Sequence, residues 1–345
     1  MEGVFYQEHG GPEVLQYGEL PDPEVGRDDV LVDVKAGALN HLDVWTRKGL
    51  PSPGEFPHIP GSDAAGVVAE VGDAVTRFEE GDHVAVAAGS YCGDCEFCRA
   101  GEESLCERYT IIGEHSTGVH SELACLPEEN LVAVPDDVDW ETAAAAPLVF
   151  QTAWRMLHSR AELEAGESCL VLGASGGVGH AAVQIADHAG AEVFATASTE
   201  EKLEYATELG ADHVINYEET DFSEAIAEAT DGRGVDVVLD HIGGPTWENS
   251  IDSLAKGGRL VTCGATAGPE VEVNISDLFW NQYDIMGSTM GSNSDIDEVL
   301  ELVWDGTFEP RIREVLPMSE AADAHRLLEE REGFGKVVVV PDSEL

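Results

Sequence analysis

At 345 residues the chain exceeds what one hydrophobic core ordinarily serves, so two domains are expected, and 43% apolar residues fit a globular protein in water. Its 68 Asp and Glu stand against 18 Lys and Arg, a formal charge of −50, which repels phosphate backbones and anionic lipids and argues against nucleic-acid and membrane partners. The opening Met1-Glu2-Gly3-Val4-Phe5 has neither the basic nor the apolar part of a secretory leader, and no apolar run is long enough to span a bilayer, so the expected location is the cytoplasm.

In chain order, short apolar runs at 30–34, 65–71 and 83–86 are separated by Gly, Pro and Asp. Several short strands with turn residues between them predict a β-rich first domain, a partly closed barrel. A helix is expected over 140–146, leading into the second domain. There a strand at 168–172 meets a glycine cluster and then a segment of helical periodicity, 180–186. Strands at 192–196, 213–216, 235–240 and 258–263 then alternate with helices at 200–209, 222–230 and 245–254. That alternation predicts a parallel, doubly wound α/β sheet of the Rossmann kind. Beyond about residue 290 come helices at 296–304 and 321–329 and a strand at 336–340, a tail expected to rejoin the first domain. The expected domains are therefore 1–150, 151–290 and the returning segment 291–345.

The glycine cluster reads Gly173-Ala174-Ser175-Gly176-Gly177-Val178-Gly179. Strand, glycine turn and helix in that order make a phosphate site, because the backbone approaches a pyrophosphate closely and the helix N-terminus offers unpaired N–H groups. An NAD-preferring site would place a carboxylate about 20 residues further on, at the end of the second strand, to hold the ribose 2′-OH. Here that place reads Thr196-Ala197-Ser198-Thr199, with Lys202 one turn into the next helix. Small donors and a lysine suit a 2′-phosphate, so NADPH is the expected cofactor, although Glu200 and Glu201 oppose it.

The cysteines carry the second local signal. Cys92, Cys95, Cys98 and Cys106, near the middle of a lobe at about 90–110, give the spacing C-x2-C-x2-C-x7-C. Four such thiolates surround one tetrahedral Zn²⁺ with no open position, which describes a structural site. Disulfides compete with this reading, but a cytosolic compartment keeps thiols reduced. An iron–sulfur cluster competes too, but the fourth cysteine lacks the Cys-Pro continuation of ferredoxin runs. Cys125, Cys169 and Cys263 lie in apolar runs and read as core.

A cysteine lobe of this spacing in a β-rich domain, followed by a Rossmann domain, resembles the medium-chain dehydrogenase/reductase superfamily over essentially the whole chain. The resemblance implies a GroES-like catalytic domain, an active site between the domains, a small-molecule substrate, and a homodimer or homotetramer. Zinc alcohol dehydrogenases of that superfamily hold a second, catalytic zinc. The three positions that would hold it read Asn40 (Asn40-His41-Leu42-Asp43), Ser62 (Gly61-Ser62-Asp63) and a place near Leu148, and none is a good zinc ligand. These motifs and the glycine loop resemble the quinone oxidoreductase branch instead, which has no catalytic metal and reduces quinones or activated alkenes with NADPH.

The resemblance further implies that Asn40 and Ser62 face the nicotinamide end as donors, with Asp43 and Asp63 near them. It implies that Thr152 touches the nicotinamide, that His41 neighbours the pyrophosphate, and that Tyr217 contacts the 2′-phosphate. Gly264 is counted with the cofactor-facing residues. His115 and His241 read as satisfied structural histidines. The expected activity is NADPH-dependent reduction of quinones or enones with one structural zinc. The alternatives are an alcohol dehydrogenase or carbonyl reductase with a metal site rebuilt from Asp43, Asp63 or a histidine, and an NADPH-binding structural or sensing protein. The dispersed acidic charge and depleted lysine resemble proteins of extreme halophiles, whose molar salt shortens the Debye length to about 3 Å.

Overall fold

The computed structural model describes residues 1–330 and 333–344. Two compact units divide the chain: Met1–Leu148 with Ser292–Leu345, and Val149–Gly291.

The first unit opens with an antiparallel pair, β1 (Glu2–Phe5) and β2 (Gln16–Glu19). Next comes β3 (Asp29–Ala38), where Val30, Val32, Val34 and Ala36 alternate into the core with period two. It continues past residue 34, where Lys35-Ala36-Gly37-Ala38 looks like a loop in sequence. The extension is held by pairing on both sides, and Gly37 is needed there because a Cβ would stand 2.7 Å from the His120 ring. Helix α1 (His41–Arg47) starts on a capping box formed by Asn40 and Asp43. Strands β4 (Asp63–Val71) and β5 (His83–Val86) follow, then a short ribbon of β6 (Gly89–Ser90) and β7 (Thr110–Ile111) flanking α2 (Glu96–Arg99). The segment closes with β8 (Leu123–Pro127), β9 (Leu131–Ala133) and α3 (Trp140–Ala145), whose alanines pack against β3 and β4.

Helix α4 (Pro147–Trp154) runs into a π-helical turn, Arg155–Arg160. The second unit then alternates β10 (Ser168–Val171), α5 (Gly177–His188), β11 (Glu192–Ala197), α6 (Glu200–Glu208), β12 (His213–Asn216), α7 (Phe222–Ala229), β13 (Val235–Leu239), α8 (Trp247–Asp252), β14 (Leu254–Thr262), α9 (Ile275–Asn281) and β15 (Asp284–Gly287). Their order in the sheet is β12-β11-β10-β13-β14-β15 with every pairing parallel. Leu170, Leu172, Phe194, Ile226, Val238 and Leu260 form its core.

Two expectations for this unit need correction. The helix expected to reach 254 ends at Asp252, and the strand expected from 258 begins at Leu254. Gly257 (φ +77°) and Gly258 read as a break, but they lie inside β14, where the register with β13 shifts. In addition, α9 and β15 had no counterpart in the sequence reading, because their apolar residues point outward: Ile275, Phe279 and Trp280 are exposed.

The tail adds α10 (Asn293–Trp304), β16 (Ile312–Pro317), α11 (Ala321–Glu330) and β17 (Lys336–Val340) to the first unit. Its sheet runs β16-β17-β3-β4-β5-β9, with β8 also on β3. The tail is pinned a second time by Arg47 at the end of α1, whose guanidinium is fully buried against His325 and pairs with Glu329 of α11.

Candidate functional site

In the second unit the turn after β10 is built for a phosphate. Gly173 adopts φ +61°, a left-handed conformation that favours glycine, and its N–H donates to Thr196 Oγ1 at 3.2 Å. A Cβ on Gly179 would lie 2.2 Å from the Gly173 carbonyl oxygen, so only glycine lets α5 pack this close to the turn. Gly176 caps α5 without a side chain, and the first helical bond runs from His180 N–H to its carbonyl. The N–H groups of Gly177, Val178 and Gly179 are therefore left for a ligand. Ser175 lies in the same turn, and Gly264 lies beside the His241 carbonyl. This cradle fits a dinucleotide pyrophosphate.

At the end of β11, Ala197 is buried and no carboxylate follows it before α6. Thr199 caps α6, and Lys202 Nζ reaches Ser198 Oγ at 3.5 Å. Tyr217 donates its backbone N–H to the Ala197 carbonyl and leaves its ring exposed. Thr196 is buried and supports the glycine turn, while Thr152 is buried with its hydroxyl 3.9 Å from Met290 Sδ.

The first unit holds a buried polar network that the sequence reading only half anticipated. Asn40 Nδ2 donates to Asp63 Oδ2 at 2.8 Å, and its Oδ1 accepts from Lys336 Nζ at 2.6 Å. Lys336 also pairs with Asp63 at 3.2 Å, with both side chains sealed from solvent. Asp63 takes a further N–H from Leu148. Asp43 accepts from the N–H groups of Asn40 and Gly61, and burial pushes its carboxyl up to about 7. Burial likewise raises Asp63, while Lys336 and Asn40 oppose the rise. Ser62 is fully enclosed, and its hydroxyl donates to the Ile112 carbonyl at 2.6 Å. His120 packs against Gly37 and Gly61, held neutral by burial with its pKa down to about 4. His41 stands half-buried beside Trp45.

Asn40, Ser62 and Asp43 thus converge, but Ser62 and Asp43 act as supports and only Asn40 keeps an amide N–H beyond those bonds. Lys336 and His120 escaped the sequence reading. A lone lysine opening the run Lys336-Val337-Val338-Val339-Val340 was the available signal. His115 is satisfied locally, accepting the Ile111 N–H on Nδ1. For His241 the expectation of a satisfied histidine is corrected: its Nδ1 is sealed from solvent with no partner among the described residues.

The cysteine lobe fits a metal. The sulfurs of Cys92, Cys95, Cys98 and Cys106 all lie within 4.8 Å of one another. Cys92 and Cys98 are 3.9 Å apart, and Cys95 and Cys98 3.4 Å, close to the ~3.8 Å edge of a tetrahedron with Zn–S of about 2.3 Å. Backbone N–H groups of Cys95, Cys98, Cys92 and Arg108 point at Cys92, Cys95 and Cys106 sulfurs. The Cys98 N–H in particular lowers the Cys95 thiol to about 6. All seven cysteines are unbridged, and Cys169 is buried while Cys125 and Cys263 are half-buried.

Two family models match the chain: "Alcohol dehydrogenase GroES-like domain" over residues 26–136 and "Zinc-binding dehydrogenase" over 177–305. A quinone oxidoreductase of Pseudomonas aeruginosa is 36% identical over 98% of this chain and 99% of its own. The chain is a medium-chain dehydrogenase/reductase. As a member of that superfamily, of the zinc alcohol dehydrogenase-like kind, it is an NAD(P)-dependent oxidoreductase that acts on a small molecule. An acryloyl-coenzyme A reductase of Sulfurisphaera tokodaii is 31% identical over 94% of this chain and 95% of its own. A crystal structure of an NAD-dependent alcohol dehydrogenase superposes with a TM-score of 0.95 at 46% identity, covering 99% of both chains. No helix among the described residues of this dehydrogenase/reductase is long and apolar enough to cross a membrane.

The four-thiolate lobe leads to a direct expectation. Elemental analysis should find one zinc per chain, and Cys95→Ser should release it. Structural zinc is worth about 10–16 kcal/mol to peptides that cannot fold without it. Here the lobe sits in a larger fold, so the loss should loosen the lobe while the dissociation constant for the nicotinamide cofactor changes by less than about twofold. Two zincs per chain would mean that a second site exists.

Proposed function

We propose that this oxidoreductase uses NADPH to reduce quinones, enones or related α,β-unsaturated carbonyl compounds, with its zinc confined to the cysteine lobe. The observation that carries the reading is the chemistry at Asn40, Ser62 and Leu148. An amide held by Lys336 and Asp63, a hydroxyl spent on Ile112 and an alkyl side chain make no metal-binding trio. The likeness to a quinone oxidoreductase and an acryloyl-coenzyme A reductase supports the acceptor class.

When bound, the nicotinamide supplies the hydride. The protein's part is to hold it against the acceptor carbon and to offer a donor where negative charge develops on the acceptor oxygen. In this reading Asn40 is that donor, and Ser62, Asp43 and Asp63 fix the backbone around it. Thr152 contacts the nicotinamide, and Gly173, Ser175, Gly176, Gly177, Val178, Gly179 and Gly264, with His41, surround the dinucleotide. Ser198, Lys202 and Tyr217 take the 2′-phosphate where Ala197 leaves room for it. The exposed Phe279 and Trp280 and the edge strand β15 support self-association as a homodimer or homotetramer. The excess of acidic residues supports a cytoplasm rich in salt.

A second reading, alcohol oxidation with NAD⁺, is favoured by the 46% identity to the NAD-dependent alcohol dehydrogenase and by Glu200 and Glu201. One acceptor panel in molar KCl separates the two. Quinones and enones should be reduced with NADPH at a kcat/KM at least about tenfold above that with NADH, or about 1.4 kcal/mol. Turnover of primary or secondary alcohols with NAD⁺, and none of the quinones or enones, would make the second reading correct.

A further inference from the structure

His241 follows β13 directly, at the carboxyl end of the strand that neighbours β10. Its backbone is held rigidly. The preceding Asp240 carboxylate is buried and accepts from Ile242 N, Gly243 N, Thr246 Oγ1 and Ser250 Oγ at 2.8–3.0 Å. Thr266 Oγ1 donates to the His241 carbonyl at 2.9 Å. The imidazole is thereby set against the glycine turn: a Cβ on Gly173 would lie 3.3 Å from its Nε2 and 3.5 Å from its Cε1. Neither ring nitrogen has a hydrogen-bond partner among the described residues, and Nδ1 is shut off from water. Nε2, on the Gly173 side, is left with no protein partner among the described residues and is the nitrogen that a ligand crossing the turn would meet, while Nδ1 stays sealed. Burial also lowers the imidazole pKa, leaving a neutral ring with one donor and one acceptor.

We propose that His241 positions the cofactor by donating from its ring to an oxygen of the dinucleotide pyrophosphate as it crosses Gly173; this rests on the nicotinamide-cofactor reading above. The backbone N–H groups of α5 address the pyrophosphate from one side. His241, on the neighbouring strand end, addresses it from the other and fixes its path across the sheet. The open face of Gly173 is what gives the ring room, so the two residues work as a pair.

Calorimetric titration of the zinc-loaded protein in molar KCl tests this with three probes: NADPH, 2′-phospho-ADP-ribose and 2′,5′-ADP, which lacks the pyrophosphate. His241→Leu should weaken the first two by about tenfold and leave 2′,5′-ADP within about twofold. His241→Gln, which keeps an N–H at the place of Nε2, should recover part of the loss. An unchanged affinity for NADPH in His241→Leu overturns the assignment. So does an equal loss for 2′,5′-ADP, because that reports a collapsed turn. If the unaltered protein binds no nicotinamide dinucleotide at all, the cofactor reading fails first and this inference with it.

Discussion

In ~50 mM salt the protein should melt at least about 10 °C below its melting temperature in molar KCl. With a chain of this size each kcal/mol moves Tm by roughly 1–2 °C, so the shift represents about 5–10 kcal/mol. Salt acts in two opposing ways here. It weakens the surface ion pairs, such as Arg108–Asp94 and Arg233–Asp236, but exposed pairs are worth about 0–1 kcal/mol each. It also screens the mutual repulsion of 68 acidic side chains, of which the 18 cations can neutralise only a minority. Repulsion wins on numbers, so the stability should rise with salt. Differential scanning calorimetry across a KCl series measures it, and equal melting temperatures at both ends would contradict the halophilic reading.

Removing the buried lysine should be the most damaging single change in the first unit. Lys336→Met leaves Asp63 sealed from solvent without its counter-charge, and breaking a buried pair in this way costs about 3–5 kcal/mol. It also leaves the Asn40 amide, which Lys336 and Asp63 hold from its two ends, held by Asp63 alone. The pH dependence has a definite sign. A carboxyl whose folded pKa lies above its unfolded value takes up a proton on folding, so its contribution is fully present below the unfolded value near 3.9 and is lost as pH rises through the folded one. Without Lys336 the Asp63 value climbs further. The deficit of the variant should therefore be greatest at neutral pH and shrink toward pH ~4. Urea unfolding at two pH values reads this out, and Lys336→Met combined with Asp63→Leu should recover much of the loss. A deficit independent of pH would mean that the cost is one of packing.

How much of this was legible in the residues depends on whether the signal was local. The parallel sheet followed from alternating strands and helices between 168 and 263, and the cysteine lobe from spacing alone. Both are short-range patterns. The network around Asn40 was not legible, because its decisive member lies 296 residues away and meets Asn40 only when β17 pairs with β3. The end of β3 was missed for the same reason: Gly37 and Ala38 become strand through long-range partners, against their own weak propensity. Ser62 and Asp43 were found as positions, but the bonds that occupy them belong to tertiary structure. His241 is not legible as special, because a satisfied histidine and an orphaned one look alike in a sequence.

The interleaving of the two units has a consequence for how the chain is made. The second unit is continuous, so it has all its strands once residue 291 has left the ribosome. The first unit does not. Its sheet places β17 against β3, joining residues about 300 apart, and α11 supplies the His325 and Glu329 that receive Arg47. Until residues 336–340 emerge, β3 keeps an unpaired edge near Gly37 and Ala38, and Asn40 and Asp63 wait for Lys336, as Arg47 waits for His325 and Glu329. Such an edge is a template for pairing with another chain, and contacts of this separation form late. Premature termination or trimming before Lys336 should therefore leave a folded second unit attached to an aggregation-prone first one.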